Sequence, residues 1–250
     1  FIYKINGAEV KNGDSLEREP IVNVEPLKNG DETAEYKHTK KPHSVEINDI
    51  VTYKIRVYNE GQMDGYAEEI TMHLPEELSL ENNEFNASNG WIIDTQDKTQ
   101  RTIKTTVLSK DQDEDNVIKA FNNETGEISY KDIEIECRVN PSSETQKEIT
   151  NIVEISKSGN ATGLIDRDNK IAAKLPSDED MSKYQAETSS LTPLDNKDYY
   201  YKGQEDDDDF EKIIIDKFDL ALRMFATYIN DTELRGREPI IDKSDFGIVK

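Results

Sequence analysis

A two-residue alternation within residues 45–59, VEINDIVTYKIRVYN, limits the fold more than any other feature of this sequence. Val51, Tyr53, Ile55 and Val57 alternate there with more hydrophilic side chains. Because successive side chains of a β-strand point to opposite faces, the pattern predicts a strand with one face in a core and the other in water.

The same alternation recurs in residues 132–139, DIEIECRV, where Ile133, Ile135, Cys137 and Val139 share one face. Cys137 is therefore predicted to be a small buried core residue and not a reactive thiol. It is the only cysteine, so no internal disulfide can form, a situation that suits both cytosolic proteins and secreted proteins stabilised by other means.

Many short segments of this kind follow one another along the chain. Further strands are predicted at residues 67–74, 90–94, 102–108, 149–156 and 210–229, and a short helix at residues 115–123. Short strands separated by closely spaced turns favour an all-β fold, an antiparallel sandwich.

The C-terminal part of the sequence repeats its beginning. Phe1, Ile5, Asn6 and Glu9 correspond to Phe225, Ile229, Asn230 and Glu233, and the segment REPI at 18–21 corresponds to REPI at 237–240. The first copy carries five extra residues in KNGDSLE, which we interpret as a lengthened loop. Copies about 220 residues apart indicate one whole domain per repeat.

Two interpretations of this partial second copy remain open. The chain either continues into the next repeat of a tandem array, or it donates a strand to an identical subunit. A donated strand would pair with an unsatisfied sheet edge and grow a filament, because donor and acceptor are different surfaces. The residues predicted to insert are Phe218, Leu220, Leu222, Met224 and Phe225.

The charge of the chain excludes some partners. Its net charge is −22, with 34% hydrophobic and 34% charged residues, which predicts one modest core under a strongly acidic surface. Such a surface disfavours nucleic acid and anionic membranes. No apolar run approaches the roughly 20 residues needed to span a bilayer.

Residues 176–209 differ in composition from the rest, being acidic, rich in Ser and Thr and poor in aliphatic side chains. They are predicted to form an extended connector, although the tyrosines at 199–201 could dock on a sheet. The predicted organisation is a sandwich repeat at 1–175, an acidic connector at 176–209, a terminal strand at 210–224, and the next repeat or a donated strand at 225–250.

Candidate metal ligands are confined to two acidic stretches. Carboxylate and amide oxygens are the ligands that Ca²⁺ prefers, and the candidates are Asp166, Asp168, Asn169, Asp206, Asp207, Asp208 and Asp209. Against calcium, EF-hand spacing is absent and a run of Asp is usually solvated. His38, His43 and His73 lack metal-ligand spacing and are expected at the surface. No catalytic motif occurs, so no enzyme and no cofactor other than calcium is expected.

Four segments carry a resemblance to a known family: IVTYKIRVYNEG, HLPEEL, ITNIVEI and FDLALR. In their order along nearly the whole chain they resemble the isopeptide-type conserved repeat domains of Gram-positive, mainly clostridial, cell-surface and fimbrial proteins. The resemblance implies an immunoglobulin-like β-sandwich repeated along a surface adhesin, stalk or fibre. It also implies an extracellular location.

The family's chemistry is an amide bond between a lysine and an asparagine beside a buried acid. Burial is needed because it lowers the pKa of the lysine and raises that of the acid. The resemblance places the asparagine at Asn151, but the acid position is Met72 and the lysine position is Met224. The alternative is that Asn151 is a polar residue that closes a turn or bonds across the sandwich.

These observations predict a structural repeat module of a bacterial surface protein, acting as a stalk or fibre building block whose partners are neighbouring repeats or identical subunits. The alternative is an adhesin that binds a host or matrix ligand. An exposed aromatic patch near Trp91, or a long ordered loop at 83–100, would favour the adhesin.

Overall fold

The computed structural model describes residues 1–142, 148–164, 200–201, 208–215 and 222–239. The chain divides into two compact units, Phe1–Asp216 and Lys217–Lys250. The predicted all-β antiparallel sandwich is confirmed and makes up the first unit.

Eighteen strands are described, most of them short. They are β1 Ile2–Ile5, β2 Ala8–Glu9, β3 Lys11–Asn12, β4 Ser15–Leu16, β5 Ile21–Asn23, β6 Glu35–Thr39, β7 His43–Val45, β8 Ile50–Asn59, β9 Gly65–His73, β10 Leu78–Leu80, β11 Ile92–Ile93, β12 Thr102–Thr105, β13 Ser129–Val139, β14 Glu148–Asn160, β15 Tyr200–Tyr201, β16 Asp208–Ile215, β17 Tyr228–Ile229 and β18 Thr232–Glu233. Two short α-helices, α1 Glu25–Lys28 and α2 Glu84–Ser88, and a 3-10 turn at Glu114–Asn116 lie between them.

Two main sheets form the layers of the sandwich. The first has the strand order β10-β13-β8-β1-β2 and the second the order β11-β12-β9-β14-β16-β7. Neighbouring strands in these sheets are antiparallel except for β16 and β7, which pair in parallel. A smaller sheet, β15-β6-β5, contains the Tyr200–Tyr201 strand, so part of the tyrosine cluster pairs with a sheet.

The core lies between the two main sheets and is built by the predicted alternation. Val51, Tyr53 and Val57 on β8 are buried, as are Ile135 and Cys137 on β13. The facing strands of the second sheet contribute Ile70 and Met72 from β9, Ile149 from β14, and Ile213 and Ile215 from β16. Side chains at every second position of these strands thus pack against one another between the two sheets.

Several predicted elements differ in extent from the observed ones. The predicted strand at 210–229 is wrong as a single element: β16 ends at Ile215, residues 222–227 are not in a strand, and β17 starts at Tyr228. Residues 216–221 lie outside the described part. The predicted helix at 115–123 is a single 3-10 turn at Glu114–Asn116. Asp113 caps its start, and it ends at Asn116 because the backbone of Val117 is already extended.

Cys137 gives the first testable prediction. It is fully buried, and burial raises the pKa of its thiol far above the usual value. Because only the thiolate is an efficient nucleophile, we expect no reaction with a maleimide in the native protein and one equivalent of reaction after unfolding in urea. Mass spectrometry of the alkylated chain measures this, and labelling under native conditions would show that β13 opens.

Candidate functional site

The first ten residues fold into a hairpin that docks on the sandwich, the first hairpin. Asn6 and Gly7 connect β1 to β2 with φ of 49° and 80°. Positive φ at both central residues is the mark of a type I′ turn, which Asn-Gly favours. The backbone N–H of Val10 donates to the carbonyl of Tyr3 at 2.9 Å and closes the pair.

Residues 225–234 form the same structure, the second hairpin. Asn230 and Asp231 have φ of 45° and 61°, and Tyr228 pairs with Glu233 as Lys4 pairs with Glu9. The N–H of Leu234 donates to the carbonyl of Thr227 at 2.7 Å, the counterpart of the bond between Val10 and Tyr3. The repeat seen in the sequence is therefore also a repeat of backbone geometry.

The five extra residues of the first copy form an added hairpin. Strands β3 and β4 pair through Lys11 with Leu16 and Asn12 with Ser15. Gly13 occupies the left-handed region in this turn, with φ of 65°. The insertion is a lengthened loop, as the sequence predicts, and leaves the register of the first hairpin unchanged.

The two hairpins differ in what covers them. In the first, Ile2 pairs with Tyr53 and Ile5 with Val51 on β8, and Phe1 is 8% exposed. In the second, the corresponding Phe225 is 39% exposed, and Tyr228 and Ile229 are exposed as well. No described strand of the second unit supplies the neighbour that β8 gives to β1.

A buried ionic centre follows the first hairpin. The guanidinium of Arg18 is 1% exposed, donates through Nε and one terminal nitrogen to the carboxylate of Glu211 on β16, and donates through the other terminal nitrogen to the carbonyl of Lys41 at 2.9 Å. Its repeat counterpart, Arg237, is exposed. Burial of this arginine thus requires β16 beside it.

Lys40 makes a second buried contact to the same strand. Its ammonium is fully buried, donates to Asp209 Oδ1 at 2.7 Å and to the carbonyl of Phe210 at 2.5 Å, and lies 4.9 Å from the centre of the Phe210 ring. Together, Arg18 and Lys40 fasten the segment after the first hairpin to β16.

The expectation of surface histidines is wrong for two of the three. His38 lies on β6 beside the ionic centre, its Nε2 3.9 Å from Asp209 Oδ2, and burial lowers the pKa of its imidazole well below the usual value. His73 is buried on β9, with Nε2 2.9 Å from Glu154 Oε1 of the adjacent strand. His43 is half-buried. The partners of these rings, Asp209 and Glu154, are distant in the sequence, so the local spacing of residues could not predict their burial.

The carboxyl of Glu211 yields a pH prediction. Burial alone would raise its pKa, but the positive charges of Arg18 and Lys40 outweigh that effect and hold the pKa at about 2, against an ordinary value of 4.5. A depressed folded-state pKa means that the stabilisation is complete above pH 4.5 and is lost as the pH falls toward 2. The shift corresponds to about 3 kcal/mol.

Urea denaturation between pH 7 and pH 2.5 checks this in the wild type and in Glu211→Gln. The other carboxylates titrate in both proteins, so the difference between the two pH profiles isolates Glu211. We expect the wild type to lose more stability on acidification than Glu211→Gln does. Parallel profiles would contradict the assignment of the depressed pKa.

Asn151 lies inside the sandwich, on the face of β14 that points into the core. It stands opposite Glu211 on β16, and its Nδ2 is 3.5 Å from the sulfur of Met72 on β9. Its Oδ1 accepts no hydrogen bond from the described residues. The structure thus brings Asn151 and Met72 together, the positions that the family resemblance assigns to the asparagine and the acid.

These neighbours do not supply the chemistry of an amide bond. The thioether of Met72 transfers no proton, and the carboxylate of Glu211 is already bound by Arg18. Met224, at the lysine position of the second copy, is exposed and lies outside the sandwich unit. Among the described residues, the hydrogen bond of the Asn151 side chain goes to Met72, on the adjacent strand of the same sheet.

The candidate calcium ligands fall mostly outside the described residues, namely Asp166, Asp168, Asn169, Asp206 and Asp207. The two that are described lie on β16, where Asp209 binds Lys40. Among the residues that the structure describes, no three carboxylate, histidine or cysteine side chains gather into a metal-binding group. Calcium binding stays a prediction.

The loop at 83–100 contains α2 at Glu84–Ser88 and β11 at Ile92–Ile93, so it is not the long loop that would favour an adhesin, and its Trp91 is not exposed. Trp91 is buried in the core cluster and donates from Nε1 to the carbonyl of Glu134 at 2.8 Å. Asn86 on α2 fixes the loop to β13, since its side chain accepts from the N–H of Glu136 and donates to the same residue's carbonyl, each at 2.8 Å. Trp91 is thus part of the core and offers no aromatic binding patch to an adhesin.

Comparison with known proteins adds little. No family model and no curated protein matches the sequence. Among solved structures, the chain is similar to BcpA, the major pilin subunit of Bacillus cereus, at 11% identity over 79% of this chain and 56% of that chain, with a TM-score of 0.30. The match spans little more than half of the pilin chain, and a likeness this weak carries no argument.

The described part of the chain also lacks any helix of the length and apolar character that a bilayer crossing demands.

Proposed function

We propose that this chain is a structural repeat module of a bacterial cell-surface protein, a building block of a stalk or fibre, and not a catalyst. One observation carries the proposal: the second hairpin reproduces the turn, register and closing hydrogen bond of the first, about 220 residues further along the chain. That distance corresponds to one complete sandwich.

The geometry explains why the second hairpin is exposed. In the sandwich, the first hairpin gains its cover by pairing with β8, which follows it in the sequence. The second hairpin would gain the same cover from the β8 of a following sandwich. The first hairpin of each domain is therefore the joint between successive domains of an array.

The strongly acidic surface suits such an array. A net charge of −22 makes neighbouring modules repel one another and favours solubility. The buried cations Arg18 and Lys40 are paired inside the sandwich with Glu211 and Asp209. The extracellular, cell-surface location rests on the resemblance of the four quoted segments to Gram-positive surface repeats.

A two-repeat protein tests the proposal. It consists of residues 1–234 followed directly by residues 11–250, so that the second hairpin opens a complete second sandwich. We expect hydrogen exchange of amides 226–234 to slow to the rates of amides 2–10, because the hairpin is then paired on a β8 strand. The 250-residue chain is the control and should exchange fast at 226–234.

Unchanged fast exchange in the two-repeat protein would refute the tandem arrangement. The location is tested separately, with antibodies raised against residues 1–216. Labelling of intact bacterial cells of the source is expected, and labelling that requires lysis would refute a surface role.

A further inference from the structure

Four Asn-Gly pairs occur in the sequence, at 6–7, 12–13, 29–30 and 89–90, and all of them lie in the described part of the chain. In such a pair the backbone nitrogen of the glycine can attack the side-chain amide carbon of the asparagine. Because glycine has no Cβ, this approach is unobstructed and the backbone can turn toward the amide. In a folded protein the reaction therefore depends on how firmly the structure holds the two reacting groups.

The pair at 6–7 is held through both atoms of the asparagine amide. Nδ2 of Asn6 donates to Asp49 Oδ1 at 2.7 Å, and Oδ1 of Asn6 accepts from the backbone N–H of Ile50 at 2.9 Å. The pair forms the turn of the first hairpin, whose strand β1 is paired with β8. Rotation of the Asn6 side chain toward Gly7 would break both hydrogen bonds.

The pair at 89–90 is held at the amide and at the attacking nitrogen. Nδ2 of Asn89 donates to the carbonyl of Phe85 at 2.9 Å, and the N–H of Gly90 donates to the carbonyl of Ala87 at 3.1 Å. The backbone of Gly90 also lies close to β12, since a Cβ there would stand 3.0 Å from the hydroxyl of Thr105. Little room remains for the backbone to rearrange.

The pair at 29–30 is held through the attacking nitrogen alone. The N–H of Gly30 donates to the carbonyl of Leu27 at 3.1 Å, at the end of α1. The side chain of Asn29 is exposed, and none of the described residues forms a hydrogen bond with it. This pair is therefore less restrained than those at 6–7 and 89–90.

Neither reacting group is held at 12–13. Asn12 and Gly13 are exposed, and among the described residues the Asn12 amide and the Gly13 N–H have no hydrogen-bond partner. Both lie in the added hairpin, whose strands β3 and β4 have two residues each and form a sheet of their own. An isolated two-stranded hairpin is marginally stable, so it opens more readily than the paired strand β1.

We propose that Asn12 is a site of spontaneous deamidation, to which the structure directs the reaction in preference to the other three pairs. The Gly13 nitrogen forms a bond to Cγ of Asn12 as the bond from Cγ to Nδ2 breaks. The proton of the Gly13 nitrogen passes through water to the leaving group, which departs as ammonia and leaves a cyclic succinimide. Water then opens the ring at either carbonyl, and the product is aspartate or isoaspartate. No reactant other than water is required.

Both products change the added hairpin. Each adds a negative charge to a turn that already carries Asp14, and isoaspartate also lengthens the backbone by a methylene group. The longer backbone does not fit the register in which residue 12 stands opposite Ser15. Because β3 and β4 are separate from both main sheets, the sandwich itself remains intact. The second copy lacks the insertion and contains no Asn-Gly pair, so the change distinguishes the two copies chemically.

Peptide mapping of the full chain tests the assignment. The protein is incubated at pH 8 and 37 °C and digested under mildly acidic conditions, and mass spectrometry follows the fraction of aspartate and isoaspartate at each of the four positions. We expect the rate at Asn12 to exceed the rates at Asn6 and Asn89 by about ten-fold or more, because reaction at the held pairs requires local opening first. The rate at Asn29 should lie between these extremes.

The matched control is the same chain unfolded in urea, where all four asparagines keep glycine as the next residue but lose their different surroundings. We expect the four rates to converge in urea, with Asn12 changing least on unfolding. Equal rates at the four positions of the native chain would overturn the proposal. A native rate at Asn6 or Asn89 above that at Asn12, or no reaction at Asn12 in the native chain, would overturn it as well.

Enzymatic methylation of isoaspartate with S-adenosylmethionine counts the product independently. The aged wild type should incorporate methyl groups, and aged Asn12→Gln should lose most of this incorporation, because glutamine must close a larger ring and reacts more slowly. Asn12 is exposed, so Asn12→Gln should leave the melting temperature unchanged. Undiminished methylation of Asn12→Gln would assign the isoaspartate to another position and refute the proposal.

A variant of the first hairpin tests the cause of the selectivity. Asp49→Ala removes the carboxylate that binds Nδ2 of Asn6 and should raise the rate at Asn6, while the rate at Asn12 stays unchanged. An unchanged rate at Asn6 in Asp49→Ala would show that hydrogen bonds to the amide do not set the order of the four pairs.

Discussion

Replacing Arg18 by alanine is expected to lower the free energy of unfolding by about 3–5 kcal/mol, the cost of leaving a buried charge without its partner. Arg18 is the guanidinium partner of Glu211, and both side chains are buried between the first hairpin and β16. Urea denaturation at pH 7 measures the loss.

The repeat provides a matched control for this substitution. Arg237 stands at the corresponding position of the second copy and is exposed, so Arg237→Ala should change stability by no more than about 0.5 kcal/mol. Replacing both Arg18 and Glu211 by apolar residues of similar size should cost less than Arg18→Ala alone. Equal effects of Arg18→Ala and Arg237→Ala would show that the buried pair does not stabilise the sandwich.

Truncation within β16 and truncation directly after it are expected to have opposite outcomes. A chain ending at Asp209 loses buried Phe210, Ile213 and Ile215, and each such loss costs about 2–5 kcal/mol. The sum reaches the whole free energy of unfolding of a typical domain, about 5–15 kcal/mol. This chain should therefore already be unfolded at 25 °C and show no cooperative melting transition.

A chain ending at Asp216 keeps the complete sandwich unit. Its thermal midpoint should stay within a few degrees of the full-length value, because none of the described core residues lies beyond Ile215. Circular dichroism melts of the two truncations make the comparison. A folded protein ending at Asp209 would show that β16 is not part of the core.

Much of the sandwich could be predicted because its strands obey a local rule. The alternation in residues 51–57 and 132–139 specifies which side chains are buried, and the structure buries them. Asn6-Gly7 likewise specifies a type I′ turn from two residues alone. The extent of a strand depends instead on its neighbours. For this reason the alternation at 210–229 could not indicate that β16 ends at Ile215.

The ionic centre could not be predicted, for the same physical reason. Arg18 and Glu211 are 193 residues apart in the sequence. Without knowledge of its partner, a charged side chain is predicted to lie in solvent. The burial of His73 could not be predicted either, because its partner Glu154 lies on another strand. The position of Asn151 in the core follows from its strand pattern, whereas its contact with Met72 depends on strand order.

The place of β16 in its sheet determines how the domain would respond to tension. This strand is held on one side by β14, through seven residue pairs from Glu148 to Glu154, and on the other by β7. A pull on the chain beyond Ile215 acts along the strand axis and strains the hydrogen bonds of both edges together, in shear. Bonds strained in parallel share the force, whereas the two short strands of the second hairpin would open one pair at a time. Under a stretching force such a chain would yield first at its joints and last within its sandwich.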